Sequence, residues 1–360
     1  MKITKVVAKH HILDFKFEAG TSRGKLNAKD TWYLILYEGT RVIGVGEAGP
    51  LRGLSIDKID EMPEAIELIA KKLEGNSIPD TLSDCFLLAN EICNKAFPSI
   101  RFAVETALLD ARNGGLKMIF DAGFFKRQKR IPINGLVWMG EEDFMQQQIK
   151  EKLREGFNCI KMKIGAIDFQ TELKLLKSIR KNYSKEQITL RVDANGAFSP
   201  EEALNKLNEL AVLDLHSIEQ PIKAGSRREM HELCRNSPLA IALDEELIGL
   251  HDPAEKETLL KEINPQYIIL KPTLIGGIQA TLEWINLCKK HNIGWWLTSM
   301  LESNIGLNAI CQLADYLKVN MPQGLGTGKL YHNNIESPLT IQNGEIYYNA
   351  HKDWQEIELI

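Results

Sequence analysis

Along the second half of the chain, hydrophobic positions follow two periods in turn. Short apolar runs begin near Ile131, Cys159, Ile188, His216, Leu239, Tyr267 and Gly294, with a shorter last one near Gln323. Between them apolar residues return every three or four positions, as in Phe169/Leu173/Leu176, Leu204/Leu207/Leu210 and Ile310/Leu313/Leu317. The first period suits strands and the second amphipathic helices. Strand and helix alternating every ~25 residues implies parallel strands with right-handed crossovers, and about eight such units close into a barrel. An open doubly wound sheet is the structural alternative. Such a sheet usually shows a glycine-rich phosphate turn after its first strand, and Trp138-Met139-Gly140-Glu141 is not one.

The first third has another rhythm. The run from Trp32 to Tyr37, a Glu38-Gly39 turn and Val42-Ile43-Gly44-Val45 read as a hairpin. Helical periods follow, from about Ile59 to Leu73 and from about Ile100 to Ala111. Leu339 to Tyr348 forms a second hairpin around Asn343-Gly344, and its pattern is that of the N-terminal strands. The expectation is a smaller α+β domain over 1–127, completed by 334–360, with the barrel over 128–333.

Composition then narrows the function. The 360 residues are 44% hydrophobic and 26% charged, which is ordinary for a globular protein. A net charge of -4 offers no footprint for nucleic acid or an anionic membrane surface. The basic run Lys126, Arg127, Lys129, Arg130 is too short to change that and reads as a solvated linker. No signal peptide is expected, and no stretch approaches the roughly 20 apolar residues of a membrane helix. Six scattered cysteines without CxxC spacing point to reduced thiols in a cytoplasmic protein. Oligomeric state stays open.

The candidate chemistry comes from strand parity. In a barrel strand alternate residues face inward. In Ile160 to Ile164, Lys161 and Lys163 share one face; in Ile188 to Asp193, Thr189, Arg191 and Asp193 do. The same parity turns Glu219, Asp244 and Lys271 inward, each at the C-terminal mouth where barrel enzymes keep their sites. Three converging carboxylates call for a cation, and a hard divalent ion with oxygen ligands, Mg2+ with Mn2+ as a substitute, is the natural one. No His or Cys at these strand ends suggests zinc. Lys163 and Lys271 flank the metal, and a lysine with a depressed pKa can abstract a proton α to a carboxylate. One acid at a strand end is more often a helix cap, and a lone Lys-x-Lys pair is usually a solvated face. Five such residues at one position across five strands are better explained by a site. Arg191 could simply pair with a carboxylate. Gly324 to Lys329 lacks phosphate-loop spacing and reads as a loop that opens its backbone to a ligand. His216, His231 and His251 read as surface or packing residues.

The strings IKMKIG, RVDANGAF, SIEQPI, ALDEEL, ILKPTLIGG and TSMLESNIGL together resemble the enolase superfamily, in its muconate-lactonizing subgroup. GTSRG (Gly20 to Gly24), GEAGPLRGLS (Gly46 to Ser55), PSIRFAVETALLD (Pro98 to Asp110) and PINGLVWMG (Pro132 to Gly140) are similar to its o-succinylbenzoate synthase branch. The resemblance implies a (β/α)7β barrel under an α+β capping domain built from both termini. It implies dehydration of a cyclohexadiene carboxylate, with Lys163 as base and acid and Lys271 steadying the enediolate. Asp193, Glu219 and Asp244 would hold magnesium. Lys161, Asn195, Ser299, Thr21 and Arg23 would contact a small carboxylate substrate. An N-acylamino acid racemase would show the same five residues and is the alternative. A dipeptide epimerase would place Asp-x-Asp where this chain has Gly324 to Gly328. A non-enzymatic barrel would have lost at least one of the five.

Overall fold

The computed structural model describes residues 1–21 and 24–357. The N-terminal meander consists of β1 (Lys5–Thr21), β2 (Gly24–Glu38) and β3 (Arg41–Ala48), all antiparallel. Three helices follow, α1 (Met62–Leu73), α2 (Leu82–Ile92) and α3 (Pro98–Arg112). The middle helix is not among those expected, although Thr81 caps its start by accepting from Asp84 N. Period-two alternation gives the sheet two working faces. On one face Gly44 and Gly46 lie so close to α3 that a Cβ would collide with the carbonyls of Ala107 and Ala103. On the other, Tyr33, Ile35 and Val45 pack with Ile305, Ile335 and Ile357.

The chain then enters β4 (Ile131–Pro132) and the barrel. Its elements are β5 (Gly135–Val137), α4 (Glu142–Arg154), β6 (Cys159–Lys163), α5 (Phe169–Asn182), β7 (Thr189–Asp193) and α6 (Pro200–Ala211). They continue with β8 (Ser217–Glu219), α7 (Arg227–Asn236), β9 (Ile241–Leu243), α8 (Pro253–Ile263), β10 (Tyr267–Leu270), α9 (Pro272–Ile275) and α10 (Gly277–His291). Last come β11 (Gly294–Leu297) and α11 (Asn304–Tyr316). Strands β5 to β11 pair in chain order and in parallel. Closure is made by Gln323 and Gly324, which bridge in parallel to Ile133 and Thr298 and stand for the eighth strand. Helix starts follow from local chemistry: Asp168 caps α5, Ser199 and Glu202 form a capping box on α6, and Ser303 caps α11.

The C-terminal hairpin, β12 (Leu339–Gln342) and β13 (Glu345–Tyr348), differs from expectation. It pairs with Ile131–Pro132 at the N-terminal end of the barrel, not with β1 to β3. Its flanks, Ile335 and Trp354 with Ile357, are what reach the N-terminal sheet. Alternating hairpins look alike in sequence whichever edge they join.

Two acids of the N-terminal region plug helix starts of the barrel. Glu47 accepts from Ser303 N (2.7 Å) and Gly306 N (2.8 Å) at α11, and from Thr31 Oγ1 (2.9 Å). Glu105 of α3 accepts from the Ile278 and Gln279 amides at α10. A buried carboxylate at a helix N-terminus satisfies orphan amides and meets the positive end of the dipole. Far along β1, Phe15 bridges Tyr331 and Gly20 bridges Met139, which lays the meander across the barrel mouth.

Candidate active site

Neighbouring barrel strands are in register at their ends: Lys163 lies opposite Asp193, and Asp193 opposite Glu219. Asp244 and Lys271 follow the last residues of β9 and β10. Inward parity therefore stacks the barrel interior in layers. Below the mouth Arg191 stacks on Trp296 (4.1 Å to the ring centre) and donates to the Pro322 carbonyl (2.8 Å), and it forms no ion pair with a carboxylate among the described residues. Lower still His216 packs on Tyr267, with ring centres 5.1 Å apart, and burial holds its imidazole down to about 4.

At the mouth itself Lys161 Nζ lies 2.8 Å from Asp193 Oδ2 and 2.6 Å from Glu219 Oε2. Lys163 Nζ is 3.4 Å from Asp193 Oδ2 and donates to Asn195 Oδ1 at 2.7 Å. Lys271 pairs with Asp244 and stands 4.0 Å from Glu219 Oε1. All five residues expected to carry the chemistry are thus within one cluster, with Lys161 between two of the acids. Among the described residues no three acidic, histidine or cysteine side chains are gathered into a ready ligand shell. Ammonium groups stand between the carboxylates instead.

Burial and charge act unequally on this cluster. Burial lowers the pKa of Lys163, helped by the positive charges of Lys161 and Lys271 against Asp193. For Lys271 burial pulls down as well, but Asp244 and Glu219 outweigh it and the pKa rises. Lys161 is raised the same way by Asp193 and Glu219. Glu219 is pushed up to about 8 by burial and by its neighbour Asp193, and its Oε1 has no hydrogen-bond partner.

A cavity of about 350 Å³ opens over the cluster, lined by Lys161, Lys163, Asp193, Asn195, Lys271 and Ser299. Asn195 has a left-handed backbone (φ 44°); its amide faces Lys163 on one side and Glu245 (3.2 Å) on the other. Ser299 reaches the cavity, but its hydroxyl proton goes to Glu302 (2.5 Å), while Thr327 (2.7 Å) and Leu301 N donate to it. Arg23 lies outside the described residues, as does the side chain of Thr21. The apolar wall was not foreseen: Phe17, Leu51 and Leu54 come from the N-terminal region, Trp138 and Phe144 from the first βα turn and helix, and Met300 from the turn after β11. GEAGPLRGLS marked the Leu51 and Leu54 stretch, but nothing in its pattern said that it faces a cavity. No helix among the described residues is long and apolar enough to cross a membrane, and all six cysteines are unpaired.

Carboxylates and lysines at the mouth of a parallel barrel, seven strands closed by Gln323 and Gly324, under an α+β cap define a class. Residues 145–351 match the model of the enolase C-terminal domain-like family, and the chain belongs to it. More particularly, the chain is 46% identical over 355 residues to an o-succinylbenzoate synthase of Desulfotalea psychrophila, covering 92% of this chain and 95% of that protein. It therefore belongs with the o-succinylbenzoate synthases, lyases of the muconate-lactonizing kind. The crystal structure of MenC from Desulfotalea psychrophila LSv54 superposes with a TM-score of 0.84 at 42% identity, covering 95% of this chain and 99% of that one. A dipeptide epimerase from Enterococcus faecalis, complexed with Mg and L-Leu-L-Tyr, shares the fold at TM-score 0.83 and 22% identity, over 97% and 98% of the two chains.

Proposed function

We propose that this chain dehydrates 2-succinyl-6-hydroxy-2,4-cyclohexadiene-1-carboxylate to o-succinylbenzoate, a step of menaquinone synthesis, in the cytoplasm. The observation that carries the reading is the meeting of Lys163 and Lys271 with Asp193, Glu219 and Asp244 at one barrel mouth. The donor set suits magnesium: three buried carboxylates offer hard oxygens, and Glu219 Oε1 is buried without a hydrogen-bond partner among the described residues. Asp193, Glu219 and Asp244 would hold the ion, and manganese would serve by the same preference. When bound it supplies positive charge to a substrate carboxylate and its enediolate.

The chain's own groups do the rest. Lys163 takes the ring proton next to the carboxylate. Its pKa is lowered by burial and by two neighbouring lysines, which suits a base. The C–H electron pair becomes part of the ring and the C–O bond to the 6-hydroxyl breaks. Lys163, now protonated, returns the proton to the departing hydroxide, so water leaves and the ring is aromatic. A syn elimination needs one residue on one face, so Lys271 stays cationic and stabilises the enediolate. Phe17, Trp138 and Met300 exclude water from the ring.

The test is an ultraviolet assay of ring aromatisation with Mg2+, beside a racemisation assay on N-succinyl amino acids. Absorbance should grow with Mg2+ and stop in EDTA. Full activity in excess EDTA, or racemisation without dehydration, overturns the reading.

A further inference from the structure

The cavity is lined by five lysines, and four of them are committed. Lys161, Lys163 and Lys271 hold the carboxylates of the cluster, and Lys152 pairs with Glu155 at 2.8 Å. The fifth, Lys329, is exposed and has no ion pair or hydrogen bond to another side chain among the described residues. Its backbone, by contrast, is pinned. Thr327 Oγ1 donates to Ser299 Oγ (2.7 Å), Asn334 Nδ2 donates to the Gly328 carbonyl (2.9 Å), and Lys16 N donates to the Leu330 carbonyl (2.9 Å). Phe15 bridges Tyr331, two residues after Lys329, and Phe17 and Lys329 line the same cavity. The Phe17 ring lies 6.0 Å from that of Trp138, and Lys163 Nζ lies 5.8 Å from the centre of the same indole. An aromatic wall therefore runs from the base along the cavity that Lys329 also lines.

We propose that Lys329 receives the second carboxylate of the substrate, at the end of the succinyl tail, and thereby selects dicarboxylates over neutral-tailed analogues. The inference rests on the dehydration reading above. A substrate with one carboxylate held at the cluster would lay its four-carbon tail along Phe17 and Trp138. The far carboxylate would lose water against apolar surface there, and it needs a positive partner. Every other described cavity lysine already faces an acid of the protein. Because Lys329 sits on the exposed rim, the pair is worth only a modest factor. The Gly324 to Lys329 run gains a purpose by this: Gly324 and Gly328 let the chain lie close against Thr298 and Asn304, and its last residue supplies the charge.

The experiment measures kcat and KM for the dicarboxylate and for the analogue amidated at the succinyl carboxylate, using wild type, Lys329→Gln and Lys329→Arg. Lys329→Gln should raise KM for the dicarboxylate by up to about fivefold with kcat changed less than about twofold, Lys329→Arg should restore it, and the amide should show no difference. Binding of o-succinylbenzoate and its succinyl monoamide, followed by calorimetry, gives the same comparison without turnover. If wild type fails to dehydrate but binds the product in a Lys329-dependent way, the reaction assignment fails and the subsite stands. Equal losses for acid and amide, or no loss for either, overturn the subsite. An unchanged melting temperature for Lys329→Gln would rule out a folding effect.

Discussion

Two regions of this molecule bury acidic side chains, and they satisfy them in opposite ways. Where the N-terminal region meets the barrel, Glu47 and Glu105 take backbone amides at the starts of α11 and α10, and Glu105 also accepts from Arg101 of its own helix. Those amides are fixed by the helices and cannot leave. At the barrel mouth the partners of Asp193, Glu219 and Asp244 are chiefly lysine ammonium groups on flexible stems. Such partners can swing away when a ligand arrives. Acids satisfied by helix ends build the interface, while acids satisfied by movable cations are available for chemistry.

The sharpest way to break this comparison is to neutralise one acid of each kind. Glu219→Gln should lower turnover by roughly a thousandfold or more and weaken Mg2+ binding in calorimetry, since the enediolate loses its charge support. Its metal-free melting temperature should hold or rise, because a buried acid in an unfavourable setting is removed. A marked fall in metal-free stability would place Glu219 with the structural acids.

The lysines should separate next. Lys163→Ala should abolish dehydration, whereas Lys271→Arg, which keeps the charge, should retain more activity than Lys271→Ala. Complete loss in both Lys163→Ala and Lys271→Arg, in a protein whose structure shows the arginine seated without clash, would contradict the one-base assignment. Solvent deuterium exchange at the ring position is the matching measurement.

Glu47→Ala should cost about 3 kcal/mol of stability, since it strands buried amide and hydroxyl donors at the start of α11. Chemical denaturation reads that loss directly. Residual activity at low temperature should fall far less than in Glu219→Gln, and equal losses would erase the distinction between the regions.

The most gradual effect concerns pH. Burial, opposed by Arg101, pushes the Glu105 carboxyl up from 4.5 to about 7. The folded state then binds a proton more readily than the unfolded chain, so the stabilising contribution is complete below about pH 4.5 and fades as pH rises through about 7. In that window the wild type should lose up to about 1.4 kcal/mol per pH unit from this group, and Glu105→Gln should lose that part of the slope. Identical slopes in the two proteins would show that Glu105 stays ionised when folded.

Much of this architecture is legible in the residues themselves. Period-two and period-3.6 alternation announces the barrel, because both periods follow from local backbone geometry. The same parity turns Lys161, Lys163, Arg191, Asp193 and Glu219 to one side without any knowledge of what lies opposite. The position of the hairpin 339–348 could not be read that way, since an alternating strand pair fits any compatible edge. Ser299 illustrates a second limit: its place at the mouth was foreseeable, but the commitment of its proton to Glu302 was not.

What the sequence by itself determined is therefore the order of strands and helices, the inward charges at the strand ends, and a family likeness spread over nearly the whole chain. The tertiary structure alone decided which ammonium meets which carboxylate, that Arg191 stacks on Trp296, and that Phe17, Leu51 and Leu54 wall the cavity. It also decided that Glu47 and Glu105 close helix ends far away in the chain. Period and parity are set by neighbours one to four residues apart, which any stretch of sequence displays. Partnership across hundreds of residues depends on how closed layers pack, and Gly46 shows the cause: with no Cβ it lets α3 approach β3, and that approach fixes the sheet whose other face presents Glu47 to α11.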